Sequence, residues 1–76
     1  MQKLHSNYTT SAALRLLETR YGLNNYAVRQ ILRIKLKRFR ELLSGKDIFS
    51  RREQILLVLA FPELEHKIEY YEKEIK

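Results

Sequence analysis

Six basic side chains, Arg29, Arg33, Lys35, Lys37, Arg38 and Arg40, stand in one stretch of the chain with no acid among them. A surface with that much like charge repels itself unless a polyanion offsets it, so the stretch points to an electrostatic footprint rather than a solvated face. The distribution along the chain agrees. Residues 1–46 hold ten Lys or Arg against two acids, Glu18 and Glu41, a net of +8; residues 47–76 hold five against seven, a net of −2.

Other chemistries are poorly served. His5 and His66 are isolated, cysteine is absent, and no spacing suits a metal, so neither metal nor cofactor is expected. Glu63, Glu65, Glu69, Glu72 and Glu74 alternate with Lys67 and Lys73 at helical spacing, which reads as solvated pairing rather than a general acid/base dyad. There is no glycine-rich phosphate loop and no Ser/His/Asp arrangement, and so small a bundle leaves little room for a pocket. An enzyme with a small-molecule substrate is therefore not expected. Tyr8, Tyr21, Tyr26, Tyr70 and Tyr71 are not interleaved with the basic stretch, which favours a duplex over stacked single strands.

The elements that position the cations follow from periodicity and caps. Seventy-six residues, 45% hydrophobic and 32% charged, suit one domain with one modest core. Thr9, Thr10 and Ser11 are cap candidates for a first helix carrying Ala13, Leu14, Leu17 and Tyr21, stopped at Gly22. Asn24 or Asn25 caps a short second helix with Val28, Ile31 and Leu32 on its apolar face. A third begins near Lys35, places Leu36, Phe39, Leu42 and Leu43 on apolar positions, and closes at Ser44-Gly45. Asp47 or Ser50 opens a fourth, with Glu53 as capping-box partner of Ser50; Ile55, Leu56, Val58 and Leu59 make it apolar nearly all round, hence buried. Pro62 suits the first turn of a fifth helix over 62–76, with Leu64, Ile68, Tyr71 and Ile75 at 4,3,4 spacing. Residues 1–10 read as a flexible arm. The expected fold class is all-α, a compact bundle of about five short helices.

From Gly22 to Lys46, two short helices are separated by Arg33-Ile34 and flanked by glycine-terminated turns, the anatomy of a helix-turn-helix. Here the chain resembles the family of lambda repressor and Cro. Leu14-Arg15-Leu16-Leu17 takes the place of a leucine-arginine pattern in the family's first helix, and Gly22-Leu23 resembles the pair leading into the second. Val28, Leu32, Ile34, Phe39 and Leu42 fall on core positions, and Gly45-Lys46 follows the recognition helix. The chain departs from that pattern at Arg29, where the family has a small alanine, at Arg33, where it often has glycine, and at Lys35, where a serine or threonine commonly caps.

What the resemblance implies is a transcriptional regulator of phage or bacterial type that binds double-stranded DNA as a homodimer. Its recognition helix, about 35–44, would lie in the major groove. Lys35, Leu36, Lys37 and Arg38 are then expected to face the bases, and Arg29, Arg33, Arg40 and Lys46 the phosphates. Leu64, Ile68, Tyr71 and Ile75 form a stripe narrow enough for a dimer seam or for packing on the chain's own core. A module that binds another protein, an acidic regulator or RNA polymerase, is the alternative. The apolar run Ile55–Phe61 is too short to span a membrane, and with no secretory leader or cysteine the chain is expected in the cytoplasm.

Overall fold

A computed structural model describes residues 8–71. It is all-helical, with α1 Thr10–Thr19, α2 Asn25–Leu32, α3 Leu36–Ser44 and α4 Arg51–Ala60, followed by one 3₁₀ turn at Pro62–Leu64. Three helices start on the side-chain caps that their sequences suggest. Thr9 Oγ1 accepts from Ala12 N at 3.2 Å and Asn24 Oδ1 from Ala27 N at 2.8 Å. Ser50 and Glu53 close a reciprocal capping box, Glu53 N donating to Ser50 Oγ at 3.2 Å and Ser50 N to Glu53 Oε1 at 2.9 Å. Lys35 at the head of α3 supplies no side-chain acceptor.

α2 and α3 end on left-handed residues. Gly45 has φ +86°, and its N–H bonds Leu42 O while that of Lys46 reaches back to Glu41 O, a Schellman closure. α2 ends in the same way on Arg33, φ +59° and ψ +50°, with Ile34 N donating to Arg29 O. α1 ends at Thr19, before the Gly22 stop that the sequence suggests.

One core joins the helices. Ala13, Leu14 and Leu17 of α1 meet Val28 and Leu32 of α2, Phe39 and Leu42 of α3, and Leu57 of α4. Phe49, in the connection before α4, is the largest fully buried side chain. Its N–H donates to the buried hydroxyl of Thr10 at 3.0 Å.

Several expectations are corrected. α4 is not buried all round: it packs on α2 and the 3₁₀ turn, so Glu53, Gln54 and Leu57 turn inward while Ile55 and Leu59 stay 43% and 72% exposed. Leu36, given an apolar position in α3, is likewise at the surface.

No fifth α-helix forms over 62–71. After the 3₁₀ turn, His66 takes a positive φ of 68° and the chain runs back as a strap pairing Ile68 with Tyr8 in a lone parallel bridge. Leu64 and Ile68, each 3% exposed, complete the chain's own core and so are no dimer seam. Tyr71 is part exposed, its N–H donating to Phe49 O at 2.9 Å; Ile75 lies outside the described residues.

Residues 8–10, expected in a flexible arm, are held. Tyr8 N donates to Lys67 O at 2.9 Å, and Thr10 N donates to Glu69 Oε2 at 2.6 Å. Residues 1–7 of that arm lie outside the described residues. Among the described residues no helix is long and apolar enough to cross a membrane.

Candidate nucleic-acid interface

α2 buries Val28 and Leu32, so the residues at i, i+3, i+4 and i+7 from Tyr26 are carried on the opposite side. Tyr26, Arg29, Gln30 and Arg33, together with Ile34 of the turn, line one shallow concavity. Tyr26 is 60% exposed, and the Arg29 guanidinium carbon sits 5.7 Å from its ring centroid, a cation–π contact. Arg29 Nε also donates to Asn25 Oδ1 at 3.3 Å. The stem of Arg29 is thereby steered along the helix surface toward solvent.

α3 is anchored by Phe39 and Leu42 and turns Lys35, Leu36, Lys37 and Arg40 outward. Leu36, Lys37, Arg40, Glu41, Ser44 and Lys46 line a second shallow groove along it. Among the described residues, Arg29, Arg33, Lys35, Lys37, Arg40 and Lys46 enter no ion pair, and Glu41 is the one acid lining either concavity. The first N–H groups of α3 also have no side-chain cap, so the positive end of the helix adds to the same field. The turn between α2 and α3 is three residues long. The two sets of cations are thereby carried on consecutive elements, each lining its own concavity of the α2–turn–α3 segment.

Arg38 is not one of them. It was expected to face bases, but its guanidinium turns toward α4. Nε and Nη2 donate to the two oxygens of Glu53, each at 2.9 Å, Nη1 to Asp47 Oδ2 at 2.6 Å, and Nη2 also to Ile48 O at 3.2 Å. With Glu41 at 3.7 Å, the charge of Arg38 is spent inside the protein. The physical reason is position: Arg38 precedes the core residue Leu42 by one helical turn, on the flank facing α4, whereas Lys37 and Arg40 stand further round.

These contacts set the local titration. The Tyr71 hydroxyl, then Arg38, then the Ile48 amide hold the Asp47 carboxyl down at about 2. Burial acts to raise Glu53, but the Arg38 fork and the Ser50 amide outweigh it and keep the group below its ordinary value. The same partners push the Arg38 guanidinium upward, Glu53 first, against the opposing effect of burial.

Tyr26 and Gln30 are additions to the sequence-based set, which takes only the cations Arg29 and Arg33 from this side of α2 and sets Tyr26 apart from the basic stretch. Their spacing with Arg29 and Arg33 was the available signal. Chemically, the surface can neutralise several phosphates. Arg can bond guanine with two donors, Gln30 can do so with adenine, and Leu36 can touch a thymine methyl.

The chain matches no protein-family model, no curated protein and no solved structure.

Proposed function

We propose that this chain is a sequence-specific regulator that binds double-stranded DNA, with α2 and α3 as a helix-turn-helix of lambda repressor type and α3 as the recognition helix. The observation that carries the reading is the α2–turn–α3 surface. Six cations are presented along it, Arg29 on α2, Arg33 and Lys35 in the turn, Lys37 and Arg40 on α3 and Lys46 just after the Gly45 closure, with Glu41 the one acid lining its concavities. Lys35, Leu36 and Lys37, at the start of α3, take the base-facing role, because that end of a recognition helix enters the groove. Arg29, Arg33, Arg40 and Lys46 take the phosphates, and Tyr26 and Gln30 join the interface from α2.

Titration of duplex DNA against the protein over a range of salt concentrations tests this. With four to six phosphates contacted, the logarithm of the binding constant should fall with the logarithm of salt at a slope of roughly −4 to −5. A flat dependence would remove the proposal.

A second reading, in which the same face docks an acidic protein, is favoured by Tyr26 and Leu36 standing 60% and 37% exposed among the cations. Binding to such a protein with no affinity for duplex would select it.

A further inference from the structure

We infer that the outer face of α4 is where two copies of this chain meet, packed antiparallel about a two-fold axis. Ile55 and Leu59 are one helical turn apart on that face, 43% and 72% exposed, and nothing among the described residues covers them. With the half-buried Val58 and Tyr70 they line one groove, and its two ends carry opposite charge. Arg51 stands one turn before Ile55, and Glu65 lies beyond Leu59.

Neither charge is neutralised by an acid or a permanent base among the described residues. Arg51 donates to Tyr70 Oη at 2.9 Å and to Gln54 Oε1 at 3.4 Å, and its guanidinium lies 5.2 Å from the Tyr70 ring centroid. Glu65 has only the ring of His66, at 3.7 Å. A strip that is positive at one end, apolar in the middle and negative at the other is complementary to itself when reversed, as a two-fold interface requires. Arg51 of one copy then meets Glu65 of the other, and Ile55 faces Leu59, with the axis near Leu57.

A polyanion is a poorer occupant, since the strip presents Glu65 and two large apolar side chains. No residue of the groove lines either concavity of the α2–turn–α3 surface, so pairing at α4 leaves both basic faces open. The strip exists whether or not that surface binds DNA, and the two readings stand or fall separately.

Sedimentation equilibrium of the full chain tests the inference, with circular dichroism to confirm that each variant is folded. The chain should dimerise reversibly with concentration. Leu59→Glu, at a solvent-facing position, should keep the helical signal and raise the dissociation constant by roughly 30-fold or more, as loss of a central interface anchor does. Arg51→Glu and Glu65→Arg should each weaken the dimer, and together they should restore it. A full chain that stays monomeric at the highest soluble concentration overturns the inference, and so does a dimer indifferent to Leu59→Glu. Failure of the paired charge reversal to rescue overturns the antiparallel register.

Discussion

Arg38 grips Glu53 with two parallel hydrogen bonds of 2.9 Å, tying the first turn of α3 to the first turn of α4. Glu53 is 4% exposed, so its charge is tolerable in the fold only because that fork and the Ser50 cap satisfy it. Arg38→Ala leaves the carboxylate buried with one charged partner fewer than it needs. The expected loss is about 2–4 kcal/mol, below the full range for a buried pair because the Arg38 side chain is 26% exposed. Urea unfolding measures it, and a loss under half a kilocalorie would show the fork to be ornamental.

Acid should weaken the fold in a defined window. Asp47 and Glu53 have lower pKa values folded than unfolded, so below their unfolded values the unfolded chain binds more protons and falling pH favours it. The Asp47 contribution is complete above the ordinary value of 3.8 and disappears as pH falls to about 2. Urea midpoints measured through that window should decline, and Asp47→Asn should lower the midpoint at neutral pH while flattening the decline. A midpoint independent of pH would contradict the contacts described.

Arg33 has opposite effects on stability and on binding. Its left-handed backbone costs a residue with a side chain roughly 1–2 kcal/mol, of which glycine would give back part through its freer unfolded state. Arg33→Gly should therefore raise stability by about 0.5–1 kcal/mol. If Arg33 contacts phosphate, the same variant should lose duplex affinity. A lower melting temperature would contradict the backbone argument, and unchanged affinity would take Arg33 out of the interface.

Lys37 and Arg40 have the reverse profile to Arg38. Both are exposed, so alanine at either position should leave the melting temperature nearly unchanged. If the proposed interface holds, duplex affinity should fall, and if Arg40 contacts phosphate its loss should make the salt slope shallower by about 1. Equal affinity of variant and parent at low salt would exclude the residue.

Deleting residues 64–76 should unfold the domain rather than release a folded monomer. Leu64 and Ile68 are core side chains, and burying such residues is worth about 1.5–3 kcal/mol each, against a stability on the order of 5 kcal/mol for a domain of this size. Circular dichroism of the truncated chain decides the matter. A cooperative melt near that of the parent would contradict the core assignment.

Much of the bundle was legible in the sequence because caps and periodicity agree locally. Asn24 before α2, the Ser50–Glu53 box before α4 and Gly45 after α3 each mark a boundary that needs no tertiary information. The strap was not legible, for the opposite reason. Leu64, Ile68 and Tyr71 mimic helical spacing, yet a short terminal helix is marginal alone, and the contacts with Tyr8, Thr10 and Phe49 favour the extended path. Phe49 escaped notice because a single aromatic in a turn carries no period. Of the candidate site, the cations were legible, but which one turns inward was not, since that depends on Asp47 and Glu53 arriving from beyond the Gly45 turn.

The bridge between Tyr8 and Ile68 sets an order of events during synthesis. A nascent chain that has reached Ala60 holds the sequence of all four helices, but it has nothing to cap the core where Leu64 and Ile68 belong, and the Thr10 N–H has no Glu69 to receive it. Cooperative closure of the core therefore requires the chain through residue 69, and a chain that stops short of it leaves part of the helices' apolar surface uncovered.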